Sequence, residues 1–187
     1  MHSTPQTLLE RLQRPGDEAA WERFVELYTP LLFSWVRRCG ENEHDAADLI
    51  QEVFVVLLQT LPSFQYDPKG RFRSWLRTLL LNKLRDHRRR RVRAERAMAQ
   101  TPGEEEEPDA AEQFWEVEFR AELARRALEI MQANFNPSTW QAVWQTVVEG
   151  QSPADVARRL GLTENAVYLA RFRVLHRLRQ ELRGLVD

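Results

Sequence analysis

From Ala19 to Cys39, the residues Trp21, Phe24, Val25, Tyr28, Leu31, Leu32 and Trp35 stand three and four positions apart, and this spacing returns along most of the chain. A stripe of that period faces a core only when the backbone is helical. Glycines number only 7 in 187 residues, and the 9 prolines fall mostly between periodic stretches. The expected fold class is therefore all-α, with short connections. Pro30 predicts a kink or a break within the first stripe.

The pattern continues in Asp45 to Leu58, with Ile50, Val53, Phe54 and Leu57 on one side and Pro62 as its end. It resumes from Arg71 to Arg91, where Phe72, Trp75, Leu76, Leu79, Leu80 and Leu84 form the inner stripe. Thr101 to Glu118 then carries eight acids and no Lys or Arg, interrupted by Pro102, Gly103 and Pro108. Composition alone allows a solvated loop within one domain or a linker between two. Periodicity on both sides favours a linker over residues 97–111, dividing a domain at 1–96 from one at 112–187. The second block predicts a helix from Phe114 to Phe135 and another opening at Asn136-Pro137, where Trp140, Val143, Trp144 and Val147 turn inward and Gly150 is the stop.

The chain carries 27 Lys and Arg against 28 Asp and Glu, a net charge of −1 that hides strong segregation. A single cysteine, Cys39, excludes an intramolecular disulfide framework and suits a reducing compartment. The longest wholly apolar run, Val53 to Leu58, is far short of the ~18 residues of a membrane span. Met1 to Gly16 lacks the basic start and apolar stretch of a signal peptide. A cytoplasmic protein without membrane insertion is expected. His2, His44, His87, His176 and Cys39 have no metal-ligand spacing, and Pro68-Lys69-Gly70-Arg71 is not a phosphate-binding loop. No enzyme activity, metal or cofactor is expected.

Near the C-terminus, Ser152-Pro153-Ala154-Asp155 forms a helix start, Gly161 supplies a turn and Thr163 caps a second helix running to about Leu182. Ala157, Gly161 and Val167 occupy the small, turn and apolar positions of a helix-turn-helix. Thr163, Glu164, Asn165, Tyr168 and Arg171 lie near the start of the second helix, followed by Arg173, Arg177 and Arg179. Early residues of such a helix reach base edges, and basic ones hold phosphates. The stretch Glu164 to Arg183 has a charge of +3.

Arg71 to Arg96 is more basic, with eleven Lys and Arg against Asp86 and Glu95. Opposite its apolar stripe stand Ser74, Thr78, Asn82, Arg85 and Arg89, with Arg88 beside them, a face able to meet bases as well as phosphates. In the preceding loop, Phe64 and Tyr66 suit either stacking on an unstacked base or packing into the core. Glu41 to Glu52 carries five acids and no base. Asp45, Asp48, Gln51 and Glu52 face away from the apolar side. By composition they stabilise a helix N-terminus; the alternative is a docking face for a basic protein surface.

Taken together, Asp45-Ala-Ala-Asp-Leu-Ile-Gln-Glu-Val-Phe54, Phe72-Arg-Ser-Trp-Leu76, Asn82 and the basic run resemble region 2 of bacterial RNA polymerase sigma factors. The linker and helix-turn-helix resemble region 4, and two such regions alone resemble the extracytoplasmic-function group. The resemblance implies that Asp45, Asp48, Gln51, Glu52 and Phe54 dock on the clamp coiled coil of the largest subunit of core RNA polymerase, overturning the composition reading. It implies that the loop with Phe64, Tyr66, Lys69 and Arg71, and the face with Ser74, Thr78, Asn82, Arg85, Arg88 and Arg89, open the −10 element of promoter DNA and hold a flipped base. It places Thr163, Glu164, Asn165, Tyr168, Arg171, Arg173 and Arg177 at the −35 element, and adds the polymerase flap region and an anti-sigma protein as partners. The chain departs from the family at Thr78, where an Arg is common, and at Tyr168, Leu169 and Ala170, near which the recognition helix usually carries Arg. Rival readings are a stand-alone helix-turn-helix regulator and a protein-interaction module whose basic helix binds an acidic partner.

Overall fold

In the computed structural model, residues 7–64, 72–98, 115 and 118–185 are described. Tyr66, Lys69 and Arg71 of the expected −10 loop, and most of the acidic linker, lie outside them. The described residues form helices α1 (Leu8–Leu12), α2 (Glu18–Arg38), α3 (Glu43–Thr60), α4 (Phe72–Met98), α5 (Phe119–Met131), α6 (Pro137–Val143), α7 (Pro153–Leu160) and α8 (Glu164–Leu182), with no strand among them.

Helix ends follow local side-chain chemistry. Thr7 and Glu10 cap α1 reciprocally, so its otherwise unpaired first donors are satisfied. Asn42 accepts from the Asp45 amide at 2.9 Å to open α3. Asn136 does the same for α6, from Thr139 at 2.7 Å. The α2 helix runs unbroken through Pro30. The proline removes one donor to the carbonyl four residues back, but the packing of the eight buried residues of α2 outweighs that loss. In the expected second-block helix, regular α geometry begins at Phe119 and passes into a 3₁₀ turn at Gln132–Asn134. The α6 helix continues as a π turn over Trp144–Val148, and Gly150 (φ +69°) ends it.

The N-terminal core forms where α1 and α3 pack on α2 and α4 packs on α3. Phe24 stacks on Tyr28 with ring centroids 4.3 Å apart and meets Phe72 edge-on at 6.0 Å. Each such fully buried large apolar side chain stabilises by about 1.5–3 kcal/mol. The segment Glu43–Ser63 is long and apolar enough, by length and composition, to cross a membrane; here Leu49, Val53 and Leu57 enter this core.

The C-terminal helices also meet α2. Trp115 lies edge-on to Trp35 at 5.9 Å, and Phe119 contacts Tyr28 at 6.1 Å. The Trp115 carbonyl accepts from Arg73 Nη1 at 3.1 Å. Further along, Arg23 Nε donates to Glu181 Oε1 at 2.8 Å, and Tyr28 Oη donates to the Leu185 carbonyl at 3.4 Å. Burial pushes the Tyr28 phenol's pKa up, keeping it a neutral donor.

Candidate nucleic-acid interface

The outward face of α4 is a continuous polar strip. Ser74, Thr78, Asn82, Arg85 and Arg89 are all exposed, while Phe72, Leu76, Leu80 and Leu84 are buried behind them. Thr78 Oγ1 donates to the Ser74 carbonyl at 3.0 Å. Phe64 faces the other way. It is half-buried, 4.8 Å from Trp75 and 6.1 Å from Phe72, and its carbonyl accepts from Gln13 at 2.5 Å.

The outward face of α3 lies beside this strip. Asp48 and Gln51 are exposed, Glu52 is half-buried and Phe54 turns partly inward, edge-on to Phe24 at 6.1 Å. Two residues that the acidic pattern did not reveal complete the face: Val55 and Leu58, 52% and 51% exposed. An open groove of about 590 Å³ runs between α3 and α4, lined by Asp48, Gln51, Glu52, Val55, Gln59 and Lys83. The face is thus acidic with an apolar centre, a composition suited to a protein partner.

Ion pairs tie the two helices together. Arg90 Nη2 donates to Glu52 Oε1 at 2.8 Å, and Lys83 Nζ to Oε2 at 3.4 Å. The Arg90 hydrogen bond holds the Glu52 carboxyl below the usual carboxylate range, against the opposing effect of partial burial. Arg88 turns back from the strip: its Nε donates to Oε1 of the buried Glu41 at 2.7 Å, and its Nη2 to the Cys39 carbonyl. Arg91 Nη1 donates to the other Glu41 oxygen at 2.8 Å. Burial pushes the Cys39 thiol up to about 12, so it is an inert core residue.

Glu41, Asp45 and His87 bring ligand atoms within 4.8 Å of one another. Their charges are already engaged: Arg88 and Arg91 hold Glu41, and Arg91 lies 3.7 Å from Asp45. A cation would have to displace two guanidiniums, so the donor set fits an ion-pair network better than a metal centre.

The C-terminal pair of helices has helix-turn-helix geometry. The Ser152 hydroxyl accepts from the Asp155 amide at 3.2 Å and donates to its carboxylate at 2.6 Å. Gly161 adopts φ +66°, and the Leu162 amide donates to the Ala157 carbonyl at 2.9 Å, closing the turn. Thr163 Oγ1 accepts from the Ala166 amide at 3.1 Å and starts α8. Ala157 and Val167 are buried between the helices. Thr163, Glu164, Asn165, Tyr168, Arg173 and Arg177 are exposed; Arg171 is half-buried. Leu169 and Phe172, absent from the sequence-based candidates, share the exposed side. Helical period alone placed them there, opposite Val167 and Val174.

Residues 24–94 match the family described as Sigma-70 region 2. The chain is 32% identical over 161 residues to the RNA polymerase sigma factor CnrH of Cupriavidus metallidurans, covering 81% of each chain. It is 30% identical over 176 residues to the ECF RNA polymerase sigma factor SigE of Mycolicibacterium smegmatis, covering 90% of this chain and 63% of SigE. A solved structure of CnrH with the cytosolic domain of CnrY is similar at 25% identity and TM-score 0.38, covering 91% of this chain and 92% of that one.

Proposed function

We propose that this chain, which belongs to the extracytoplasmic-function group of sigma-70 RNA polymerase sigma factors, divides polymerase docking and promoter opening between α3 and α4. The supporting observation is the pair of adjacent outward faces within the matched region: acidic and apolar on α3, polar and cationic on α4. Asp45, Asp48, Gln51 and Glu52, with Val55 and Leu58, dock on the clamp coiled coil of the largest subunit of core polymerase. Ser74, Thr78, Asn82, Arg85 and Arg89 receive the −10 strand. An extruded base captured there offsets the few kcal/mol of stacking and pairing lost on opening. The helix α8 meets the −35 duplex through residues near its start, and residues 97–111 link the two functions. The chain is a regulator of transcription; RNA synthesis is the polymerase's own chemistry.

A protein that masks these faces completes the reading. The relative CnrH forms a complex with the cytosolic domain of CnrY, and an anti-sigma protein of that kind is proposed for this chain.

Co-purification with core polymerase tests the docking face. Wild type should be retained, and an Asp48→Arg, Glu52→Arg double variant should be lost. Failure of the wild type to bind a cognate core would favour a stand-alone DNA-binding regulator.

A further inference from the structure

The outward face of α8 is unusually apolar for a helix that meets DNA. Val167, Ala170, Val174, Leu178 and Leu182 point into the core. On the opposite side Asn165 is followed by Tyr168, Leu169 and Phe172, which are 52%, 45% and 67% exposed. The Phe172 ring stacks on His176 at 5.8 Å with the planes 14° apart, which holds it on this face. Three large apolar side chains on two adjacent turns, left in water, mark a binding surface.

We propose that this face reads an A·T-rich stretch of the −35 duplex through the C5-methyl groups of thymine. The inference rests on the −35 reading above and deepens it. Thymine alone presents a methyl group in the major groove, and apolar side chains are its direct readers. Asn165, on the same face, has the paired donor and acceptor that match adenine N6 and N7. Guanine is read by Arg or Lys aimed at the base edge, and no cation stands among Asn165, Tyr168, Leu169 and Phe172. Two cations flank this face, Arg171 half-buried and Arg173 exposed, while Arg177 and Arg179 are exposed further along the helix, where phosphates pass. Of the helix's two acids, Glu164 is exposed at its start and Glu181 is held by Arg23 at 2.8 Å. The exposed cations outnumber the exposed acid, so charge complementarity favours an anionic occupant such as duplex DNA.

The test uses holoenzyme assembled with core polymerase. Duplexes are selected from a library randomised in the −35 region, and thymines of the winning sequence are replaced singly by deoxyuridine, which lacks only the methyl. The selected element should be A·T-rich. Replacement at each contacted thymine should weaken binding about fourfold, the effect of one buried methyl. Leu169→Ala and Phe172→Ala, both at exposed positions, should bind thymine and deoxyuridine duplexes alike. A retained −35 preference that is indifferent to deoxyuridine would overturn the proposal and assign the face to a protein partner. Loss of any −35 preference in the wild type would overturn the promoter reading of α8 itself, and the proposal with it.

Discussion

The carboxylate of Glu41, 1% exposed, accepts a 2.7 Å hydrogen bond from Nε of Arg88, a residue 47 positions later in the chain. Arg91 occupies its second oxygen. The basic end of α4 is thus clamped to the loop between α2 and α3.

Glu41→Ala leaves two guanidiniums facing a buried, unoccupied site. Breaking one side of a fully buried pair costs 3–5 kcal/mol; with Arg91 44% exposed, solvent screening reduces this to about 2–3 kcal/mol. Urea unfolding should show the loss as a lower midpoint with an unchanged slope.

Acid should weaken the bridge between α3 and α4. The Glu52 carboxyl is held low chiefly by the Arg90 hydrogen bond. A depressed folded-state pKa contributes stability that is full above the ordinary carboxylate range and is lost as pH falls through the depressed value. NMR titration of the Glu52 carboxyl carbon should follow this, and Arg90→Gln should move its midpoint upward. An unmoved midpoint would refute the pairing.

Gly161→Ala isolates a backbone effect. A methyl group added there meets nothing within 4 Å, yet the φ of +66° is unfavourable for any L side chain. A loss of about 1–2 kcal/mol is expected, read by thermal unfolding, with weaker binding to −35 duplex at the same temperature.

Asn82→Ala should separate stability from promoter opening. Asn82 is exposed on α4, so unfolding should change by less than about 0.5 kcal/mol. Open-complex formation, followed by permanganate reactivity of unpaired thymines, should fall several-fold. Equal opening by the variant and the wild type would remove Asn82 from the −10 face.

What the sequence made legible was local and periodic. The stripes of α2, α3 and α4 predicted their buried sides, because a 3.6-residue period is written in neighbouring residues. The Ser152, Gly161 and Thr163 signals marked the ends of α7 and α8 for the same reason. The short α1 escaped: its Thr7 to Glu10 cap is visible in the sequence, but five residues carry no period. Phe64 was ambiguous until Trp75 and Phe72 surrounded it. The Glu41–Arg88 and Glu52–Arg90 pairs could not be read, since charges distant in sequence leave no periodic trace. Trp115 was likewise hidden, because its partner Trp35 lies across the acidic stretch.

That last contact bears on how the chain is made. Trp35 and Tyr28 leave the ribosome long before Trp115 and Phe119, which cover them. At about 5–20 residues per second, the nascent N-terminal helices wait several seconds with an aromatic flank open to water. Throughout that interval the growing polypeptide presents chaperones and proteases with an incomplete core. The residues just beyond the acidic stretch close it, so synthesis past that point, rather than completion of α4, marks the moment at which the first helices become safe.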